Sequence, residues 1–251
     1  MTGSHATLRV TEADDRVVVN LDQPDVRNSL NARAVHDLNE MCDALEREPR
    51  ILILTSAAGY FASGADLGEM ADADAEFALN GQTRRLIERV AALPLPVVAA
   101  VDGYAIGGGA ELAYACDLRI ASTRAIFSNP ELSLGVTAAA GGCWRLPQLV
   151  GTSVAKLMLY TGYQLDAEAA LRHGLVSDVV APEDLMTAAH RLVDEICTSS
   201  SLALRVTKAM LDSNSLHPAV DAMAQAVLLT NGTAQARIQA FLDSRRRRKT
   251  T

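Results

Sequence analysis

Ala105-Ile106-Gly107-Gly108-Gly109-Ala110-Glu111-Leu112-Ala113-Tyr114-Ala115 carries an apolar strand into an alanine-rich helix across three consecutive glycines. At such a junction the first N–H groups of the helix lack intrahelical partners, and the missing side chains let another molecule approach the backbone. The run alone fits an anion-binding helix start and a plain tight turn equally well. Its strand-to-helix order is repeated on either side. The β-branched runs Val17-Val18-Val19, Ile51-Leu52-Ile53-Leu54 and Val97-Val98 read as buried strands alternating with helical patterns, so the fold class is α/β.

Between the first two strands, Asn28 or Ser29 is placed to cap a helix whose inner face carries Ala34, Leu38, Met41 and Leu45 and which Pro49 ends. Residues 71–78 are small and acidic, which predicts a frayed helix start or a mobile pocket wall. Residues 118–122, 125–127 and 175–180 read as further short strands. From Pro182 the strand signal stops, and helices are predicted over 184–197, 203–211 and 218–242. No internal repeat is evident.

With 251 residues, 49% of them hydrophobic, the chain can bury a substantial core. No apolar run approaches the roughly 20 residues of a membrane helix, and the N-terminus lacks the basic-then-apolar order of a signal peptide, so no membrane association and a cytoplasmic location are expected. Cys42, Cys116, Cys143 and Cys197 are widely spaced, which predicts buried reduced thiols rather than a disulfide framework or zinc site. A net charge of −7 argues against nucleic acid as a partner. The basic run Arg245 to Lys249 reads as a solvated tail or a contact for the phosphates of an anionic ligand.

The chemistry is concentrated in two glutamates. Glu111 follows the glycine run, and Glu131 follows Asn129-Pro130 in an apolar setting. Each has a plain reading, as a dipole-complementing first-turn residue and as an exposed turn residue, respectively. A third segment, Phe61-Ala62-Ser63-Gly64-Ala65-Asp66-Leu67, adds a small-residue turn after a strand. The glycines do not match G-x-G-x-x-G or a phosphate-binding P-loop, Ser63 is not in a G-x-S-x-G elbow, the histidines are scattered, and H-E-x-x-H is absent. What remains is carboxylate acid–base chemistry helped by backbone N–H groups that polarise a carbonyl, with no metal.

These segments, with Pro24 to Leu30, Gly141-Gly142, Arg145-Leu146 and the 169–176 stretch, resemble the enoyl-CoA hydratase/isomerase (crotonase) family over nearly the whole chain. The resemblance implies a crotonase-like spiral of ββα units with a C-terminal helical region. Residues 1–195 would form the acyl-CoA-binding core and 196–251 a helical oligomerisation region, assembled as a homotrimer or a dimer of trimers. By position, Ala65 and Gly108 match the family's oxyanion-hole donors, and Glu111 and Glu131 match the two glutamates of its hydratases. Asp25, Val26, Arg27, Ser63, Ala65, Asp66, Leu67 and Gly108 match the segments that bind the acyl-CoA. No cofactor is implied beyond the coenzyme A of the thioester substrate.

The implied activity is that of a hydro-lyase of lipid metabolism, hydrating a trans-2-enoyl-CoA. Double-bond isomerisation, another acyl-CoA reaction of the family, and non-catalytic acyl-CoA binding stand as alternatives. Two segments depart from the family pattern. Residues 136–145 replace the usual loop near the acyl pocket, and Thr233, Ala236 and Arg237 stand where acidic residues usually precede the final Ala-Phe.

Overall fold

A computed structural model describes residues 6–57, 59–71, 74–212 and 218–249. The chain divides into two compact units, Met1–Val193 and Asp194–Thr251. The first opens with β1 (Leu8–Glu12), β2 (Arg16–Leu21) and α1 (Ala32–Arg47), followed by β3 (Ile51–Ser56), β4 (Tyr60–Ala62), α2 (Leu67–Ala71), α3 (Ala75–Asn80) and α4 (Gln82–Ala91). Next come β5 (Val97–Val101), β6 (Tyr104–Ile106), α5 (Gly108–Ala115), β7 (Leu118–Ser122) and β8 (Ile126–Ser128). Then follow α6 (Gly142–Val150), α7 (Thr152–Thr161), β9 (Leu165–Asp166), α8 (Ala167–Arg172), β10 (Asp178–Val180) and α9 (Leu185–Cys197), in which the division into units falls. The second unit continues with α10 (Ser201–Asp212), α11 (Pro218–Thr230) and α12 (Gly232–Lys249).

The strands form two sheets, ordered β1-β2-β3-β5-β7-β10 and β4-β6-β8-β9. Each ββ step of the chain sends its first strand to the large sheet and its second to the small one: β3 then β4, β5 then β6, β7 then β8. Within each sheet these strands pair in parallel, while β1 and β9 pair antiparallel at their edges. Repeating that step with intervening helices produces a ββα spiral, the fold class expected.

The continuous apolar runs have the burial of strands covered on both faces. Ile51 to Leu54 and all of β5 are buried, as parallel strands under helices require. The stripe Ala34, Val35, Leu38, Met41, Cys42 and Leu45 of α1 and Leu86, Ile87 and Val90 of α4 are buried. Phe61 and Phe127 are fully buried and join the same core. Burying a side chain of this kind contributes about 1.5–3 kcal/mol, enough in sum to hold polar turns at the ends of the small-sheet strands.

Several sequence expectations shift. The cap of α1 is Asn31, whose side chain accepts from Ala34 N, and not Asn28 or Ser29. Asn28 has φ 53°, and its amide is spent on Gln23 N and Tyr60 O, closing a loop instead of starting a helix. The strand predicted over 175–180 is reduced to β10, with Leu175 and Val176 packed in the core ahead of it. The helix predicted over 218–242 is broken at Asn231, whose side chain accepts from Thr233 N and starts α12 anew. Cys42 and Cys116 are buried and outside any disulfide, as expected, but Cys143 is exposed and Cys197 half-buried. Residues 71–78 hold the end of α2 and most of α3, with residues 72–73 outside the described set. The side chains of the basic run 245–249 also lie outside it. No helix among the described residues is long and apolar enough to cross a membrane.

Candidate active site

Three turns at the ends of the small-sheet strands bring the site together. After β4 the chain enters Ser63-Gly64-Ala65, after β6 it enters Gly107-Gly108, and after β8 it enters Asn129-Pro130-Glu131. Because β4, β6 and β8 are parallel neighbours, these turns emerge at the same edge of the small sheet. Gly109 permits the closest of the contacts: a Cβ there would stand 2.1 Å from Ala62 O, so only glycine lets α5 lie on the end of β4.

Ala65 and Gly108 face one another across this junction. A Cβ at position 108 would lie 3.5 Å from Ala65 N and 3.6 Å from Gly64 Cα, in space that no protein atom fills. The Ala65 turn is pinned by Leu30, whose N–H donates to Gly64 O at 2.8 Å and which forms a parallel bridge with Ala65. Gly108 is the first residue of α5, so its N–H has no intrahelical acceptor. Among the described residues neither the Ala65 nor the Gly108 N–H donates to a backbone acceptor. Two unspent N–H donors beside a gap bordered by Leu30 Cδ1 can hold a developing oxyanion.

Glu111 lies on the first turn of α5 and is only 3% exposed. Its Oε1 accepts from Ala140 N and Gly142 N, each at 2.8 Å. Burial pushes its pKa up to about 7, working against those two N–H groups, while the charge of Glu131 raises it further and that of Arg145 lowers it. A charged carboxylate is thus held here by two backbone dipoles at the edge of its ability to ionise. Residues 136–145, where the chain departs from the family pattern, supply both donors.

Glu131 begins a 3-10 turn that ends at Leu134. It is half-buried, not the exposed turn residue of its plain reading. Its Oε1 accepts from Asn129 Nδ2 at 3.2 Å, and its Oε2 is buried without a hydrogen-bond partner among the described residues. Burial raises its pKa, opposed by its own backbone N–H and the Asn129 amide. A Cβ on Gly107 would lie 3.3 Å from Glu131 Oε1, while Gly107 O accepts from Glu111 N at 2.9 Å. The two carboxyls therefore flank one glycine turn, both biased toward keeping a proton.

Beside the Ala65 turn lies a cavity of about 340 Å3. Val26, Arg27, Ser63, Ala65, Asp66 and Leu67 line it, together with Ser29, Tyr60 and Ile106, which were not among the expected acyl-CoA-binding residues. Asp25 sits in the adjoining 3-10 turn but does not line the cavity. Arg27 adopts a left-handed φ of 53° and places its guanidinium 5.4 Å from the Tyr60 ring centre, and Tyr60 stacks on Tyr104. Asp66 Oδ1 accepts from Gly68 N and Glu69 N and starts α2.

Sequence reasoning passed over four residues of this centre. Ala140 and Gly142 act through backbone N–H groups, which carry no residue-type signal. Asn129 was visible only as the partner of a Pro-Glu pair. Tyr114 stands three residues after Glu111 on an apolar helix, which puts both on one face. Elsewhere, His36, Asp37 and Glu40 bring potential metal-ligand atoms within 4.8 Å of one another on α1, but Asp37 Oδ2 is already taken by Thr7 N and Thr7 Oγ1.

Comparison with known proteins shows what the whole chain is similar to. The family model described as "Enoyl-CoA hydratase/isomerase" matches residues 13–248. A protein named short-chain-enoyl-CoA hydratase from Clostridium acetobutylicum is 36% identical over 207 residues, covering 79% of this chain and 78% of its own length. One named crotonyl-CoA hydratase from Syntrophomonas wolfei is 39% identical over 209 residues, covering 80% and 79%. The crystal structure of an enoyl-CoA hydratase from Bacillus anthracis superposes with a TM-score of 0.89 at 32% identity, covering 95% of this chain and 96% of that one.

Proposed function

The chain belongs to the enoyl-CoA hydratase/isomerase family, and from that premise we propose that it is an enoyl-CoA hydratase, adding water across the double bond of a trans-2-enoyl-CoA to give a 3-hydroxyacyl-CoA. The observation that carries this reading is the pairing of a buried and a half-buried carboxyl, Glu111 and Glu131, beside two unspent N–H donors, Ala65 and Gly108. The names of the two relatives and the match of fold support the same activity.

In the proposed reaction the thioester oxygen lies between the Ala65 and Gly108 N–H groups, which draw electron density from the conjugated system and make Cβ electrophilic. Glu111, as the carboxylate held by Ala140 and Gly142, takes a proton from water while the water oxygen bonds to Cβ. The double-bond electrons pass to the thioester oxygen, where the two N–H groups hold the enolate. As the carbonyl re-forms, Cα takes the proton from Glu131. The pair begins with one proton on Glu131 and ends with one on Glu111. The proton count therefore closes, and exchange with solvent resets the pair. Nothing in these steps requires a group beyond the chain, water and the thioester. Coenzyme A enters with the substrate along the cavity lined by Val26, Arg27, Ser63, Asp66 and Leu67. Residues 1–195 are proposed as the acyl-CoA-binding core, and residues 196–251 as the part that joins subunits into a homotrimer or a dimer of trimers.

The test is turnover of crotonyl-CoA and of a longer 2-enoyl-CoA, followed as loss of absorbance by the conjugated thioester. Saturable hydration of either is expected. Absence of hydration, with migration of the double bond in a 3-enoyl-CoA, would transfer the assignment to isomerase. Binding with neither reaction would make the protein an acyl-CoA carrier.

A further inference from the structure

Tyr114 has no part in the proposed reaction, yet its hydroxyl lies in the interior close to the carboxyl pair. The side chain is 3% exposed, and its hydroxyl donates to Asn129 Oδ1 at 2.9 Å. Asn129 is 1% exposed, and its Nδ2 donates to Glu131 Oε1 at 3.2 Å. The three form a buried chain from α5 to the turn after β8. It ends on one oxygen of Glu131 and leaves the other, Oε2, without a hydrogen-bond partner among the described residues.

The chain is directional. A carboxylate oxygen only accepts, so the end of Asn129 that faces Glu131 is its nitrogen and the end that faces Tyr114 is its oxygen. A phenol hydroxyl can donate to that oxygen, which holds the amide in this sense. Without the hydroxyl, Asn129 Oδ1 is a buried acceptor with no donor, and a half-turn of the amide then brings its oxygen against Glu131. We propose that Tyr114 is a positioning residue: through Asn129 it keeps Glu131 Oε1 as an acceptor, so that the exchangeable proton resides on Oε2. The inference rests on the proposed hydratase reading for its consequence in turnover, but the orientation of Glu131 is a property of the free protein.

The expected effects follow from losing a donor to a carboxylate, which favours its protonated form. In Tyr114→Phe the ring and its packing remain and the hydroxyl is gone. Asn129→Leu, uncharged and of similar size, removes the N–H that faces Glu131 without adding a charge beside it. The charged or titratable groups that bear on this pair are Glu111 and Tyr114 on α5, Arg145 on α6 and Arg119 on β7, and both variants leave Glu111, Arg145 and Arg119 in place. Both variants are expected to bind the Glu131 proton about tenfold more tightly, as a charge-assisted hydrogen bond is lost.

The experiment follows the protonated carboxyl stretch of the full chain by infrared difference spectroscopy against pH. The Glu131 band is identified as the one that Glu131→Gln removes. Kinetics with crotonyl-CoA run alongside. The expected result is a Glu131 titration moved to higher pH by about one unit in each variant, with kcat lowered about tenfold, KM within twofold, and the pH profile of kcat moved in the same direction. A Glu131 titration unmoved in Tyr114→Phe or in Asn129→Leu overturns the inference, whatever happens to activity. An altered titration in a protein that hydrates neither enoyl-CoA upholds the inference and overturns the hydratase reading. Lower activity with an unmoved titration marks Tyr114 as a packing residue and overturns the inference. Should Tyr114→Phe fail to fold, the uncharged Asn129→Leu decides by the same titration, an unmoved Glu131 band overturning the inference.

Discussion

At the scale of the residue, two glutamates that look alike in sequence have different surroundings and so different tasks. Glu111 is gripped by two backbone N–H groups on one oxygen, whereas Glu131 has a side-chain donor on one oxygen and, among the described residues, no hydrogen bond on the other. Isosteric Gln at either position is expected to lower kcat for hydration by roughly two orders of magnitude or more while leaving acyl-CoA affinity within a fewfold, read from steady-state kinetics and direct binding. Near-normal hydration by Glu111→Gln would remove it from the reaction. Glu111 also links folding to pH. Burial raises its folded pKa from 4.5 to about 7, so the native state holds this proton more tightly than the unfolded chain does. The stability this contributes is full below about 4.5 and is lost as pH rises through about 7. Glu111→Gln, which cannot ionise, should therefore match wild type in stability near pH 4.5 and exceed it above pH 7 by on the order of 3 kcal/mol at most. Urea unfolding of both proteins at the two pH values measures that divergence, and parallel curves would show that Glu111 ionises in the native state as easily as in the unfolded chain.

At the scale of the element, the start of α5 places two glycines side by side for different reasons. A Cβ on Gly109 would enter the carbonyl of Ala62, so Gly109→Ala forces α5 away from β4. A Cβ on Gly108 would meet only ordinary contacts, but it would stand between the two N–H donors. Gly108→Val is therefore expected to fold with its melting temperature lowered by a few degrees and to lose more than about 10²-fold in kcat, while Gly109→Ala is expected to lose its stability first. Melting curves and turnover on the two variants separate the roles, and a folded, active Gly108→Val would end the case for Gly108 as a donor. Much of this element was legible in sequence. A strand, three glycines and an alanine-rich run left few alternatives to a tight strand-to-helix turn. The cap of α1 was not legible in the same way. Asn28, Ser29 and Asn31 are all cap-forming types, and Asn31 prevailed because Asn28 was drawn to Tyr60 O, a partner 32 residues away.

At the scale of the whole molecule, the second unit leaves Met223, Val227, Ile238 and Phe241 more than a third exposed in the single chain. An apolar surface of that kind is costly in water and calls for cover. Sedimentation at micromolar concentration is expected to give a trimer or larger, and a stable, fully active monomer would refute the role proposed for residues 196–251. The sequence by itself determined the α/β class, the buried strands β3 and β5, the inner face of α1, and the pairing of Glu111 with Glu131 as the chemistry to look for. These are set by local periodicity, by the conformational permission of glycine, and by residue types whose chemistry is narrow. Only the tertiary structure decided which N–H groups hold Glu111, which oxygen of Glu131 is left free, and that Tyr114 reaches it through Asn129. It also set the two pKa values above their ordinary range, since desolvation depends on what the rest of the chain packs around a group. Backbone donors carry no side-chain signature, and parallel neighbours such as β4, β6 and β8 meet only after long crossovers, so contacts between residues tens of positions apart are written in the packing of the core and not in any one stretch of the chain.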